Sequence, residues 1–436
     1  MDAMASQPTA QLHHGRPIDP ALPRRLWRDA AIGAGNLVAW ASRRAGRGSG
    51  ASIRGQVITR LYPMMFAELV AGRRIAAVSG TNGKTTTTHL LTAAAEAAWG
   101  GRQVVTNADG ANLREGIASA LSQNVKAPVA VLEADEQIVP DLIAKGRPEV
   151  LIMLNFSRDQ LDRHHEIASL GRKWRTALTA AGEKAPTVVA NVHDPLVTWS
   201  AEAAGRVIWV DMGLGGWTAD AALCPNCGTI LAYDADGSWN CPGCELGQHP
   251  ADYTVRGDEV SGPEGAHWTF DLQVPGRFNR GNATCALAAA IEMGIDPQTA
   301  LRAMSTVKAP AGRFSIGAFG DNRARLLLAK NPAGWAESLL VMDSDPVVLA
   351  IDSAIADGTD VSWLWDVEFE KLAGKHVICT GPRAQDLAVR LSYAEVDHEV
   401  IGSINEAMAR PYEGTVDVLA TYTAFLNLCK MGGVEW

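Results

Sequence analysis

The chain has 436 residues, enough for roughly two to four domains and at least one large core. Its composition, 47% hydrophobic, 20% charged and 6% aromatic, excludes a collagen-like, low-complexity or wholly disordered chain. With 39 Lys and Arg against 48 Asp and Glu the net charge is -9, which argues against a chain-wide nucleic-acid coat.

Seven cysteines are too few for a disulfide-stapled domain of this size, and four of them form two C-x-x-C pairs, the pattern of a metal site in a reducing compartment. A cytoplasmic protein is expected. The N-terminal residues lack the apolar core of a secretory signal, and no apolar run reaches spanning length, so neither export nor membrane crossing is expected.

Residues 1–20 are polar and proline-containing, and are expected to form a disordered tail. From Leu22 to about Ala45 the apolar positions Leu26, Ile32, Leu37, Val38 and Trp40 fit a helix, with Arg24, Arg25, Arg28, Arg43, Arg44 and Arg47 towards its ends. Such a helix either packs on its own domain, which is the expectation, or lies on anionic lipid. The stretch GRGSGAS then ends it.

From Arg74 onward short apolar runs (IAAVS, QVVT, APVAVLEA, EVLIMLN, PTVVAN, RVIWV) alternate with helical stretches, one of them near 167–181. This predicts an α/β unit with a mainly parallel sheet over residues 21–305. Residues 217–250 interrupt it with cysteine, glycine and proline, a segment too short for a core of its own. A helix, ATCALAAAIEMG, follows Asn279, and RLLLA, PVVLAI, HVICTG and a terminal TYTAFLNLC helix predict a smaller α/β unit over residues 306–436.

Ala76 to Thr86 runs from an apolar strand through a glycine turn into a helix. Gly80, Thr81, Asn82 and Gly83 can turn backbone N–H groups onto phosphate oxygens, Lys84 supplies a positive charge, Thr85 a hydroxyl for Mg²⁺, and Thr86 continues the first turn. The spacing of Gly80 and Gly83 is shorter than a G-x-x-x-x-G-K-[ST] count, which is met only by counting from Val78.

The form G-T-N-G-K-T-T resembles the phosphate loop of the Mur ligase superfamily, which includes folylpolyglutamate synthase. Leu154 to His164 (LNFSRDQLDRH) is similar to the family's metal-associated segment, Asn279-Arg280-Gly281-Asn282-Ala283 to its adenine-side element, and Gly312-Arg313-Phe314 to its inter-domain linker. Within the superfamily the MurT branch is most similar, on TNADGANL from Thr106, RDQLDR from Arg158, KNPAG from Lys330 and ADGTDVSW from Ala356. These subunits pair with a GatD glutaminase as lipid II isoglutaminyl synthases. The resemblance implies ATP and Mg²⁺ as cofactors, with Asn279, Asn282 and Arg313 on the nucleotide and Glu133 on the metal.

The chain departs from the amino-acid-adding members at Gln160, where they have a histidine, and at Arg175, with Lys173 nearby, where many carry a carbamylated lysine. No carbamylated lysine is expected. With 79 residues before Gly80, the nucleotide-sugar domain of those ligases is not expected, which fits a lipid-linked acceptor at the inner membrane face.

Such a ligase phosphorylates a carboxylate and lets an amine attack the acyl phosphate, so its site must hold charge on phosphoryl oxygens. Lys84, Thr85 and Mg²⁺ meet that need. Glu133, at the end of an apolar strand, is either a magnesium ligand or a solvated strand-end acid. Asp360 is the expected catalytic carboxylate that orients or deprotonates ammonia, although Asp360 or Asp366 could instead cap a turn.

Cys224-Pro-Asn-Cys227 and Cys241-Pro-Gly-Cys244, with an Asp-Gly turn between them, predict an inserted four-cysteine zinc ribbon. Four sulfurs leave no open position, so the zinc is expected to be structural; a redox dithiol is the alternative. Cys285, Cys379 and Cys429 sit in apolar contexts, and no nucleophile elbow appears, so ammonia drawn from glutamine requires a second polypeptide, a GatD-like glutaminase. The leading expectation is ATP-dependent amidation of the D-glutamate α-carboxylate of lipid II; a ligase adding an amino acid to a peptide or folate-like acceptor and an ATP-sensing scaffold are the alternatives.

Overall fold

A computed structural model describes residues 15–44, 51–107, 110–157, 167–213, 221–234, 236–308, 314–354 and 357–434. The helix expected from Leu22 spans Leu22–Arg44 (α1), and two further helices that the sequence pattern did not single out, Ala51–Leu61 (α2) and Met65–Val70 (α3), lead into the first strand.

Apolar runs then form strands where expected: β1 (Arg74–Ser79), β2 (Val104–Thr106), β3 (Val129–Glu133), β4 (Val150–Met153), β5 (Thr187–Asn191) and β6 (Val207–Asp211). Between them run α4 (Lys84–Trp99), α5 (Arg114–Leu121), α6 (Val139–Gly146), α7 (Ile167–Ala181) and α8 (Pro195–Ala201). A short hairpin, β7 (Ala232–Tyr233) and β8 (Trp239–Asn240), precedes β9 (Tyr253–Arg256), β10 (Glu259–Ser261) and β11 (His267–Thr269), after which α9 (Arg277–Glu292) and α10 (Pro297–Met304) close the region.

The sheet order is β11-β10-β9-β6-β5-β4-β1-β3-β2, parallel from β2 to β9 and antiparallel over the last hairpins. β1 and its neighbours are buried on both faces, which explains their unbroken apolar runs. Ala76, Val78, Val131 and Ile152 meet α4, α9 and α10, whereas Ile75, Ala77, Leu132 and Leu151 meet α3 and α5 to α8. The cysteine segment does not stand apart: Leu231, Trp239 and Leu246 join the second of these cores, and the Trp239 indole donates to the Val192 carbonyl at 2.9 Å.

The second sheet contains β12 (Phe314–Phe319), β13 (Asn322–Leu328), β14 (Val347–Ala350), β15 (Val377–Thr380), β16 (His398–Ile401) and β17 (Thr415–Ala420), with α11 (Pro332–Leu339), α12 (Ala384–Tyr393), α13 (Ile404–Ala409) and α14 (Tyr422–Met431). Its order is β12-β13-β17-β14-β15-β16, parallel except for β12. Trp335 and Phe369 fill one face and Phe425 and Leu428 the other. No helix among the described residues is long and apolar enough to cross a membrane.

Candidate nucleotide and metal site

β1 delivers its chain to the carboxyl edge of the parallel sheet between β3 and β4, where ligands of such sheets collect. The turn that follows needs its glycines. Gly80 has φ +136° and Gly83 φ +89°; a Cβ would lie 2.9 Å from the Asn155 nitrogen at the first and 2.5 Å from Asn282 Oδ1 at the second. Gly83 begins α4 with no side-chain cap, and the helix has no acid in its first turn. Its N–H groups and positive dipole end are therefore left for an external anion such as a nucleotide phosphate.

The turn is pinned from the strand beside it. Asn155, just after β4, accepts from the Asn82 N–H at 2.8 Å, donates through Nδ2 to the Asn82 carbonyl at 3.0 Å, and takes the Thr81 N–H on its own carbonyl at 2.9 Å. The Ser157 N–H donates to Thr81 Oγ1 at 2.9 Å. Lys84 lies back over the turn, donating to the carbonyls of Gly80 and Thr81, with Glu136 Oε1 at 3.4 Å.

Glu133 ends β3 opposite Val78 and is only 2% exposed. Asn107 brackets its backbone, accepting from the Glu133 N–H and donating to its carbonyl, both at 2.8 Å. Oε1 accepts from Asn112 Nδ2 at 3.0 Å, but Oε2 is buried without a partner. A buried carboxylate oxygen with nothing to balance it is costly, and a hard cation satisfies it. The residues present thus fit a Mg²⁺ ion.

Asn279 and Asn282 lie on the first turns of α9, both buried. The Asn282 amide sits against Gly83 and donates to Asn279 Oδ1 at 3.2 Å; Asn279 in turn donates to the Pro275 carbonyl at 2.6 Å. The second sheet also reaches the turn. Asn331 caps α11, accepting from the Gly334 N–H at 2.9 Å, and its amide pairs reciprocally with that of Asn82 at 3.2 and 3.3 Å. Arg277 and Glu337 bridge the same seam at 3.1 Å.

Asp360 is exposed and accepts from the Ser362 N–H at 2.8 Å. It lines a cleft of about 550 Å³ with Thr359, Trp365, Arg383 and Asp386, all from the smaller sheet's region. Asp366 ends the short 3-10 turn Ser362–Asp366. Lys173 lies on α7. Arg313, Gln160 and the rest of residues 158–166 lie outside the described residues. The expected nucleotide and metal residues from Gly80 to Thr86, with Glu133, Asn279 and Asn282, thus gather at one sheet edge, and Asp360 lines a separate cleft.

Asn107, Asn112, Glu136, Asn155 and Asn331 were given no site role from sequence. For Asn155 a signal existed: a polar residue just after a buried strand, at the sheet edge where Glu133 also lies. Asn331 lies in the KNPAG segment already singled out, but nothing in the sequence pairs it with Asn82, 249 positions away.

The sulfur atoms of Cys224, Cys227, Cys241 and Cys244 all lie within 4.8 Å of one another, with pairs at 3.4 and 3.6 Å. A tetrahedral zinc with Zn–S near 2.3 Å sets its sulfurs about 3.8 Å apart, so the cluster matches a zinc ion in size as well as donor type. Burial pushes the Cys224 thiol up to about 12, whereas hydrogen bonding at Thr229 draws Cys227 down to about 6. Protein purified without chelator is expected to carry one zinc per chain by elemental analysis. Less than half an equivalent overturns that expectation, and Cys241→Ser is expected to lose the metal and loosen the Trp239 packing.

This set, a glycine turn at a parallel sheet edge, an adjoining buried acid and a second sheet closing on the turn, defines a Mur-type ligase. The Mur ligase middle domain model matches residues 78–290, and the MurT ligase C-terminal model matches residues 328–425. The lipid II isoglutaminyl synthase (glutamine-hydrolyzing) subunit MurT of Staphylococcus aureus strain COL is 30% identical over 434 residues, covering 93% of this chain and 97% of that protein. The subunit of the same description from Streptococcus pneumoniae R6 is 28% identical, covering 89% and 93%. A pseudomurein peptide ligase type C from Methanothermus fervidus shares the fold, with TM-score 0.65 at 16% identity over 86% of this chain and 82% of its own. The chain belongs to the MurT family of Mur ligases.

Proposed function

We propose that this chain is the ATP-dependent synthetase subunit of a lipid II isoglutaminyl synthase, amidating the D-glutamate α-carboxylate of lipid II with ammonia from a GatD-like glutaminase subunit. The match to MurT subunits over 93% of the chain carries the reading, supported by the MurT C-terminal model over residues 328–425. Residues 21–305 and 306–436 act as two units, with the ribbon 217–250 inserted in the first as a structural zinc module. A lipid-linked acceptor favours work at the cytoplasmic face of the membrane.

Gly80 to Thr86 cradle the ATP phosphates, and Lys84 leaves the Gly80 and Thr81 carbonyls to neutralise them. Thr85 and Glu133 hold Mg²⁺, whose charge shields the phosphoryl oxygens. Asn279 and Asn282 support the nucleotide side of the cradle, with Arg313 at the linker, and Asn331 senses the turn through Asn82. Asp360 orients ammonia or removes its proton as the acyl phosphate is attacked.

The test is ADP release with lipid II, ammonium chloride and ATP, followed by mass spectrometry of the acceptor. The reading requires turnover that depends on the acceptor and a product about one mass unit lighter, as hydroxyl gives way to amine. Turnover only with an added amino acid, or none with any acceptor, overturns it.

A further inference from the structure

Helix α1 is amphipathic the wrong way round for a packed helix. The residues it buries are Arg28, Ala31, Gly35 and Ala39, and its large apolar side chains face outward: Leu22 is 69% exposed, Leu26 63%, Trp27 70%, Leu37 65% and Trp40 53%. The reason lies in α2. A Cβ on Gly35 would come within 2.5 Å of Ile58, so small residues let the two helices approach closely, while Arg28 is satisfied by Asp19 and Asp29 at 3.1 Å.

Ala30, Gly33 and Ala41 are exposed between the large residues, so one side of the helix is apolar from Leu22 to Ala41, about 30 Å, before Arg44 ends it. Charge says what covers it. Around it Arg16, Arg24, Arg25, Arg43, Arg44 and Arg60 are exposed against Asp19 and Asp29, a local positive excess in a chain whose net charge is -9. Arg43 and Arg44 lie in the last turn, and the Arg44 guanidinium sits 5.6 Å above the Trp40 ring, an arrangement suited to a headgroup layer.

We propose that α1 docks the protein on an anionic bilayer surface, its apolar side entering the headgroup boundary and its arginines meeting lipid phosphates. The inference rests on the amidation reading for its purpose, because a lipid-linked acceptor is presented at that surface. It stands on α1 alone for its physics.

Flotation of the full chain with phosphatidylcholine vesicles, with and without phosphatidylglycerol at about one third, tests it. Binding is expected to be at least ~10-fold stronger on the anionic vesicles, to fall with salt, and to drop at least ~10-fold in Leu26→Asp/Leu37→Asp and in Arg43→Glu/Arg44→Glu. Helix content and melting temperature should match those of the parent, since all four side chains are exposed.

No preference for anionic vesicles, or flotation of both variants like the parent, overturns the proposal. So does a dimer that Leu26→Asp/Leu37→Asp dissolves, or loss of glutaminase capture with vesicle binding intact. Amidation of the acceptor in detergent micelles should stay within about twofold in the apolar variant and fall ~10-fold on vesicles. If neither protein amidates in micelles, the functional reading fails while the flotation result stands.

Discussion

Lys84→Ala, assayed with its glutaminase companion, is expected to lose amidation by ~10²–10³ or more, the range for removing one preorganised group that stabilises transition-state charge. The fold should survive. Among the described residues the Lys84 amine meets main-chain carbonyls and Glu136 across 3.4 Å, so truncation leaves no buried apolar cavity. A melting temperature within a few degrees of the parent would show this, and nucleotide binding measured by calorimetry should weaken in parallel. Undiminished amidation would remove Lys84 from the reaction, and with it the case for this glycine turn as the ATP site.

Asp360→Asn is expected to lower the amidation rate by ~10²–10⁴ with ammonium chloride as donor, the range for loss of a positioned general base. Asparagine keeps an oxygen that can accept the Ser362 N–H, so the local turn is preserved and the loss reports on chemistry rather than on structure. The neighbouring Asp366→Asn serves as the control, expected to stay near the parent rate. If Asp360→Asn stays within about twofold, the carboxylate is only a cap. A pH profile adds a second readout: loss of a base removes the rise of rate with pH, whereas a merely structural defect lowers the whole curve.

The two substitutions probe different parts of the fold. Lys84 belongs to the edge of the nine-stranded sheet and Asp360 to a cleft on the six-stranded one. Among the described residues the Asn82–Asn331 amide pair links these regions at the phosphate turn, supported by the Arg277–Glu337 bridge. Side chains that exchange two neutral hydrogen bonds can part at modest cost, so this seam is weakly held.

Much of this was readable from sequence where the chemistry is local. The phosphate turn is seven consecutive residues whose glycines must take positive φ, and the cysteine pairs need only a short hairpin to converge, so neither depends on distant parts of the chain. Most buried strands announced themselves as unbroken apolar runs, because a parallel strand covered on both faces has no polar side to show; β17, central and buried, was not singled out, its run being interrupted by Asp417. The antiparallel β10 and β11 are partly exposed, and β16 is short and only half-buried, so none of the three gave such a signal.

Tertiary structure alone decided the rest. Asn155, 73 positions from Asn82, and Asn331, 249 positions away, become its partners only when the sheets form. The unpartnered oxygen of Glu133 arises because folding buries its whole environment, a property no residue carries by itself. Helix α1 makes the same point in reverse: its periodicity announced an amphipathic helix, but the sequence could not say that small residues would face inward. Periodicity fixes which side chains share a face, and only the shape of the neighbouring surface determines which face is buried.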